Sequence, residues 1–282
     1  MSTTQTRPAP AAPTATTERR VEGLPLLRTA LRQRRRGLLL WSLGLATVVL
    51  MYLPLYPSMR GNLQTQIDAL PEGVAQAFGM TSMDAAGYAQ STVYGLIGAI
   101  LIIVFAVTAG AKAVAGEEES GLLDLYLAHG VSRQRLLAER TLHLLLELTV
   151  LAGVVVALTL LVNPGAELDL TVEQVLAAGL ALLGLGVVTG VAGLAVGAAT
   201  GTRGAATGAA ALVGVGGYLG NVIGDIAELP WLKDLSPFHW AYGFEPLRNG
   251  FDGGASLLLL YGTAALAYLV GAVLFARRDI GV

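Results

Sequence analysis

Six long apolar stretches constrain this chain more than any other feature of its sequence. Each residue of an α-helix adds about 1.5 Å, so about 20 apolar residues are enough to cross the hydrocarbon core of a bilayer. Charged residues make up 13% of the chain, against about 25% in an ordinary soluble domain. We therefore predict an all-α integral membrane protein with six transmembrane helices. The predicted spans are residues 37–56, 94–113, 142–162, 175–199, 205–223 and 257–276.

Basic residues are concentrated in alternate connections between the predicted spans. If the N-terminus is cytoplasmic, 15 of the 18 lysine and arginine residues lie inside, and only Arg60, Lys233 and Arg248 lie outside. An excess of lysine and arginine in cytoplasmic loops sets the orientation of a membrane protein. Both termini are therefore predicted to be cytoplasmic. Residues 1–22, rich in Ser, Thr, Pro and Ala, are interpreted as a disordered cytoplasmic tail, and residues 23–282 as one six-span domain.

The sequence lacks the motifs of several enzyme classes. A P-loop needs a lysine directly after a glycine, but Lys112 follows an alanine and Lys233 follows a leucine. The three histidines do not form an H-E-x-x-H zinc motif, cysteine is absent, and no G-x-S-x-G elbow occurs. We predict a chain that is not an enzyme, has no metal site and binds no cofactor of its own.

Two polar residues fall inside predicted spans and leave alternatives open. Glu147 lies about one and a half turns into the third span, where a carboxylate is often functional. Because His143 and Arg140 precede it by four and seven residues, pairing with these helical neighbours is favoured over a proton or substrate site. For Asn221, in the fifth span, a hydrogen bond between helices is favoured.

Small residues recur at a spacing of four in the fourth and fifth spans. This spacing places them on one helix face and lets helix backbones approach closely. In the fourth span, packing within one subunit accounts for the pattern. In the fifth span, we interpret Gly216, Gly220, Asn221 and Gly224 as a possible translocation path or subunit interface.

The connection between the second and third spans has the pattern of a short docking helix. Glu117, Glu118 and Glu119 precede a leucine-rich stretch too short to cross a membrane, and acidic residues suit a helix N-terminus. Gly130 can end this helix and Ser132 can cap the next. A short apolar helix on the cytoplasmic face needs a partner, or must lie on the membrane surface.

This connection resembles the cytoplasmic loop of the membrane subunits of type-two ATP-binding-cassette exporters. That family has an acidic cluster, then Gly-Thr-Leu, a leucine-rich stretch and Pro-Val-Ser-Arg. Leu122 stands where threonine is usual, and Gly130 where proline is usual. The matching residues are Glu117, Glu118, Glu119, Gly121, Leu123, Leu125, Leu127, Val131, Ser132 and Arg133.

Two further segments extend the resemblance towards the C-terminus. Residues 235–240 and 246–250 are similar to the extracytoplasmic segment that precedes the last span in this family, and residues 275–279 to its C-terminal signature. The resemblance implies a possible outer gate at Pro237, Phe238, Trp240 and Pro246.

The resemblance also implies partners and a location. It implies a dimer of permease subunits, either homo- or heterodimer, in the plasma membrane of a bacterium, bound to cytoplasmic ATPases that hold ATP and Mg²⁺. We expect a hydrophobic drug, antibiotic or lipid-like substrate and no nucleic acid. Two alternatives remain, an ion-coupled secondary transporter that uses Glu147 and an assembly factor without transport activity. The residues expected to couple to the ATPase are Glu117, Glu118, Glu119, Gly121, Leu123, Leu125, Tyr126, Leu127, Gly130, Ser132 and Arg133.

Overall fold

The computed structural model describes residues 25–60, 84–123 and 131–278. These ranges contain helices and no strands, and six of the helices are long and apolar enough to cross a membrane. The predicted all-α fold with six spans is therefore confirmed, while the predicted tail, residues 1–22, lies outside the described residues. In chain order the spans are Arg36–Arg60, Ala85–Ala113, Arg133–Val162, Val172–Thr200, Arg203–Ile226 and Ala255–Arg277.

Polar caps extend the second and third spans beyond the stretches predicted from hydropathy. The second span begins at residue 85 rather than 94, and the third at 133 rather than 142. The Asp84 side chain accepts a hydrogen bond from the backbone N–H of Gly87 (2.8 Å), and the Ser132 hydroxyl accepts one from the N–H of Arg135 (3.3 Å). Such caps satisfy the free N–H groups of a first helical turn. The capping role predicted for Ser132 is confirmed.

Three of the spans contain irregular turns. The first span belongs to the helix Pro25–Tyr52, which continues through a 3₁₀ turn at Leu53–Leu55. The second and fifth spans each change to a π-helix and back, and such turns often occur at functional sites. The second consists of Ala85–Ala89 (α), Gln90–Ile97 (π) and Gly98–Ala113 (α), and the fifth of Arg203–Ala211 (α), Leu212–Gly216 (π) and Gly217–Ile226 (α).

The fourth span is the centre of the bundle. In its most apolar stretch 78% of residues are buried, and it packs against the second, third, fifth and sixth spans. A Cβ atom at Gly110 of the second span would clash with the carbonyl oxygen of Gly190. Gly193 lies against Ala206 and Ala210 of the fifth span. Small residues therefore bring these helices together within one subunit, as predicted for the fourth span.

The first, fifth and sixth spans form the periphery. Only 17%, 22% and 22% of their most apolar stretches are buried within the chain. The first span packs chiefly on the third, and the sixth chiefly on the fourth. Most of the apolar surface on these three helices is left for lipid or another subunit.

Short helices lie at both ends of the bundle, one at the first end and three at the other. The acidic helix, Ala115–Glu119, follows the second span at the end predicted to be cytoplasmic. At the other end, residues 227–254 connect the fifth and sixth spans and are called here the outer segment. Its helices are Pro230–Asp234, Pro237–Tyr242 and Pro246–Asn249.

Candidate functional site

The acidic helix is separate from the leucine-rich stretch that follows it. The second span ends at Ala113 and the acidic helix at Glu119, with Val114 and Ser120 as their C-cap residues. Gly121 then has a φ of +72°, a left-handed conformation that favours glycine and breaks the helix. The expectation that these glutamates form the N-terminus of the leucine-rich helix is therefore wrong. The glutamates belong to one element and the leucines begin another.

Each glutamate of the acidic helix contacts a different part of the bundle. Glu117 Oε1 lies 2.8 Å from Arg140 Nη2, in the third span. Glu118 forms an ion pair with Arg278, directly after the sixth span. Glu119 Oε1 accepts a hydrogen bond of 2.8 Å from the backbone N–H of Arg203, in the first turn of the fifth span, where a helix N-terminus favours negative charge. The three carboxylates thus connect one short helix to three spans.

Two further contacts bring the fourth span into this network. Ala115, the first residue of the acidic helix, lies against Gly197. The Arg278 guanidinium donates a hydrogen bond of 3.2 Å to the carbonyl oxygen of Ala198, and Arg133 Nη1 donates one of 2.6 Å to the Arg278 carbonyl oxygen. Arg133 was predicted only as a coupling residue, and its contact with the end of the sixth span was not foreseen.

The glutamate side chains are largely withdrawn from solvent. The exposed fraction is 20% for Glu117 and 18% for Glu118, and 7% and 23% for their partners Arg140 and Arg278. Partly buried, hydrogen-bonded charges are costly to leave without a partner. The acidic cluster therefore holds the subunit together, and Glu117 and Glu118 are engaged within it rather than turned towards another protein.

Leu122 and Leu123 lie next to each other and have opposite environments. Leu123 is fully buried in the hydrophobic core of the subunit, whereas Leu122 is 44% exposed. Leu123, one of the predicted coupling residues, thus points into the core in this conformation. The other predicted coupling residues of this stretch, Leu125, Tyr126, Leu127 and Gly130, lie outside the described residues.

Glu147 is a buried neighbour of His143. Its Oε1 atom lies 3.2 Å from His143 Nε2, and the two side chains are 2% and 6% exposed. This contact agrees with the favoured interpretation of pairing along the helix, although Arg140 pairs with Glu117 instead. Glu147 also lines a cavity between the first, second and third spans.

Two of the four fifth-span residues proposed for a path or interface, Gly220 and Gly224, lie against the outer segment. Gly220 lies against Leu232, and Gly224 against Lys233, while Gly216 has only Leu212 of its own helix near it. Asn221 donates a hydrogen bond of 3.4 Å to Asp225 in the same helix, and within residues 25–60, 84–123 and 131–278 it makes no hydrogen bond to another helix. Gly204 and Gly208, at the other end of the span, have open space beside them.

The predicted outer-gate residues lie in the outer segment, and three of the four are buried. Phe238 packs edge-on against Tyr218 of the fifth span, with ring centroids 5.1 Å apart, and Gly95 of the second span lies close to its ring. Phe238 therefore sits beside the π-helical turns of both spans. Pro237 packs on Gly217, Pro246 is buried, and Trp240 is half-buried and donates to the carbonyl oxygen of Asp234 (2.7 Å).

An ion-pair cluster at the outer end was missed by sequence reasoning. Arg248 Nη2 lies 2.8 Å from Asp84 Oδ1, and Arg248 Nη1 lies 2.9 Å from Glu245 Oε2. The hydrogen bond to Asp84 raises the pKa of Arg248 above its usual range. Burial, and then the charge of Lys233, lowers the pKa of His239. Asp84 and Arg248 are 164 positions apart, so no local pattern could have paired them.

These features define a multi-pass membrane protein with a short acidic helix fastened to the ends of its spans. Among the described residues, no group of three His, Asp or Glu side chains is arranged to hold a metal ion. A model of the ABC-2 family transporter proteins matches residues 24–280, and the chain belongs to this family of ATP-binding-cassette permeases. It is thus a membrane transport subunit rather than a catalytic one. Comparison with curated proteins gives no match.

Proposed function

We propose that this chain is the permease subunit of an ATP-driven exporter in the plasma membrane of a bacterium. A separate cytoplasmic ATPase binds ATP and Mg²⁺ and docks on the connection between the second and third spans. The cargo is a hydrophobic drug, antibiotic or lipid-like molecule. Family membership supports the class of transporter, and the contacts of the acidic helix support the coupling route.

The acidic helix is suited to spread a movement of this connection through the subunit. It follows the second span directly and holds the third, fifth and sixth spans through Glu117, Glu119 and Glu118. Packed helices and ion pairs shift between discrete arrangements rather than deform continuously. A displacement of residues 121–130 by the ATPase therefore reaches five spans through one five-residue helix. We base the proposed coupling route on these contacts between the acidic helix and the spans.

The docking surface begins at Leu122. An apolar side chain that stays exposed forgoes about 1.5 to 3 kcal/mol of burial. Leu122 is 44% exposed, and Leu125, Tyr126 and Leu127 follow it in the sequence. We propose that these side chains fill an apolar groove on the ATPase. Leu123 serves instead to fix the start of this stretch to the core.

The test compares two neighbouring leucines. Leu122→Asp combined with Tyr126→Asp is expected to insert normally and to lose both copurification of the ATPase and transport. Leu123→Asp, the matched control, places a carboxylate in the core and is expected to lower the amount of inserted protein. Membrane insertion, ATPase copurification and transport are measured for each variant. Full ATPase binding by the Leu122–Tyr126 double variant contradicts the docking assignment.

A second permease subunit is proposed to pack on the fifth span. Leu212, Val215, Leu219 and Ile223 are spaced by three or four residues and are 47–75% exposed. Gly204 and Gly208, which have open space beside them, lie on the same span. Gly216, a predicted interface residue, lies beside Leu212 on this surface, whereas Gly220 and Gly224 lie against Leu232 and Lys233 of the outer segment.

Cysteine cross-linking tests this interface, because the chain has no native cysteine. Leu212→Cys is expected to form a covalent dimer in membranes on mild oxidation. Leu266→Cys, at a similar depth on the sixth span and 62% exposed, is the control and is expected to remain monomeric. Equal cross-linking at the two positions contradicts the assignment of the fifth span.

A further inference from the structure

A π-helical turn in the second span depends on two glycines. In this turn the Gly98 N–H donates to the carbonyl oxygen of Val93, five residues earlier, so the turn holds one residue more than an α-helical turn. A Cβ atom at Gly98 would clash with the same carbonyl oxygen, and one at Gly95 would lie 2.8 Å from the carbonyl oxygen of Gln90. An alanine at position 98 is therefore incompatible with the π-helical register.

The part of the second span that follows this turn is fixed against the fourth span. A Cβ atom at Gly110 would clash with the carbonyl oxygen of Gly190, and Gly186 lies against the side chain of Ile102. Close-packed surfaces of this kind leave no room for one helix to rotate against the other. The inner part of the span, Gly98–Ala113, therefore keeps its position when the turn changes.

The part of the second span that precedes the turn is held by the outer segment. Gln90 Nε2 donates a hydrogen bond to the carbonyl oxygen of Tyr242 (3.5 Å), and Gln90 Oε1 accepts one from the N–H of Leu247 (3.3 Å). Asp84, just before the span, forms an ion pair of 2.8 Å with Arg248. These contacts favour the register in which Gln90 and Asp84 face the outer segment, although π-helical turns are rare.

A change of the turn from π-helical to α-helical alters the register of this outer part. Residues 84–90 then rotate by about 100°, and each takes the place that its neighbour held, about 3.8 Å away. Ser91 stands where Gln90 stood, and its hydroxyl is too short to bridge two helices of the outer segment. The hydrogen bond from the Tyr88 hydroxyl to the carbonyl oxygen of Tyr52 (3.0 Å) is lost as well. The α-helical register thus frees the outer part from its present contacts.

We propose that the second span is a switch with two registers, in which the π-helical register holds the outer segment closed and the α-helical register releases it. Packed helices shift between discrete positions, and changes of helix register are among such movements. Phe238 lies near Gly95 of the second span and packs on Tyr218 of the fifth, so the release acts on both spans. The use of this switch in export rests on the proposed function, but the change of register is a property of this chain alone.

Distances between spin labels measure the register. The chain has no native cysteine, so labels are introduced at Ala85, on the outer part, and at either Ser58 of the first span or Asp252 of the outer segment, both of which are exposed. The full chain is used in detergent, without ATPase or cargo, and is diluted with unlabelled protein. Gly98→Ala is expected to change at least one of the two mean distances by about 4 Å, the spacing of neighbouring Cα atoms. Unchanged distances in both pairs overturn the proposal.

Deletion of one residue separates a change of register from simple destabilisation. Gly98→Ala combined with deletion of Thr92 makes the turn α-helical and keeps residues 84–90 in place, so both distances are expected to return to the parent values. A shift that persists in the combined variant overturns the proposal. Gly153→Ala, in the third span with open space beside it, is the matched control and is expected to leave both distances unchanged. A similar shift there contradicts a specific role for Gly98.

Deletion of Thr92 alone decides the question if Gly98→Ala does not fold. Removal of one residue from a regular α-helix rotates everything before it by about 100°, whereas removal of the extra residue of a π-helical turn leaves the outer part in place. The parent distances are therefore expected, and shifted distances overturn the proposal.

The same deletion tests the use of the switch in export. The variant has only the closed register, so it is expected to bind the ATPase and to lose transport. Retained transport overturns the role of the switch in export. Absence of transport by the parent protein contradicts the proposed function instead, and the distances still test the change of register.

Discussion

Arg278, the residue that follows the sixth span, forms an ion pair with Glu118, which lies 160 positions earlier in the chain on the acidic helix. The same arginine donates a hydrogen bond to the carbonyl oxygen of Ala198 and accepts one from Arg133 through its own carbonyl. One residue therefore joins the acidic helix to the ends of the third, fourth and sixth spans. A change in its side-chain charge therefore acts on the acidic helix and the fourth span together, because the bond from Arg133 goes to the backbone.

Charge reversal tests this relationship. Glu118→Arg and Arg278→Glu are each expected to lower stability by about 1.5 to 3 kcal/mol, the usual worth of a hydrogen bond to a charged group. The combination of both variants restores the pair and should recover at least half of the loss. Thermal unfolding of the detergent-solubilised protein measures the effect. Arg277→Glu, at an exposed neighbouring position, is the control, and a similar loss there contradicts a specific role for Arg278.

The close approach of the second and fourth spans predicts different results for two glycine-to-alanine substitutions, one at this contact and one away from it. Gly110→Ala places a methyl group against the carbonyl oxygen of Gly190, so the two helices must move apart. Gly208→Ala meets open space and adds a residue of higher helix propensity. We expect Gly110→Ala to reduce the folded fraction, measured by size-exclusion chromatography, and Gly208→Ala to leave it unchanged. Normal elution of Gly110→Ala contradicts the packing described.

The predicted orientation can be measured by labelling introduced cysteines with an impermeant reagent in intact cells. Ser120 and Asp234 are suitable positions, because both are exposed and they lie at opposite ends of the bundle. Ser236 is not suitable for labelling, because it is 2% exposed and its hydroxyl donates a hydrogen bond to the Gly217 carbonyl oxygen. Asp234→Cys is expected to be labelled and Ser120→Cys to be protected, since cytoplasmic loops hold the excess of basic residues. After permeabilisation both should be labelled. The reverse pattern in intact cells contradicts cytoplasmic termini.

Phe238 is expected to hold the outer segment in its folded conformation. It packs on Tyr218 and Tyr242, with ring centroids 5.1 Å and 5.0 Å apart, and is 8% exposed. Phe238→Ala removes these contacts and should cost about 3 to 5 kcal/mol, as for other buried phenylalanines. Trp231→Ala, at a 59% exposed position in the same segment, is the control. Protease sensitivity of residues 227–254 from the outside is the measurement, and equal resistance in both variants contradicts this role.

Hydropathy was sufficient to predict the spans, but not their ends. The apolar stretches set the number and type of helices, because a bilayer requires about 20 apolar residues for each crossing. The second and third spans start earlier than predicted, because Asp84 and Ser132 cap helical turns that precede the apolar stretches. A hydropathy average does not detect a cap, because the capping residue is polar. The family resemblance indicated the acidic cluster, yet it did not reveal its partners. Arg278 and Arg203 are distant in sequence and contact Glu118 and Glu119 only in the folded bundle.

The direction in which a side chain points was the main limit of the sequence. Leu122 and Leu123 are chemically identical neighbours, and only the turn at Gly121 decides which one enters the core. Similarly, the glycine spacing in the fifth span indicates one helix face but not what covers it. Gly220 and Gly224 are covered by Leu232 and Lys233 of the outer segment. Such choices depend on tertiary contacts that no local pattern encodes.

The central position of the fourth span has a consequence for biogenesis. The second and third spans are synthesised before the fourth. Gly110 and Leu144, which belong to those two spans, are therefore already in place when the fourth span enters the bilayer. Its other contacts come later, because Ala210 belongs to the fifth span and Tyr261 and Gly271 to the sixth. Until those two helices arrive, lipid or an insertion factor must cover the remaining faces of a glycine-rich helix. We therefore expect the nascent chain to be most sensitive to quality-control proteolysis between completion of the fourth span and release of the sixth.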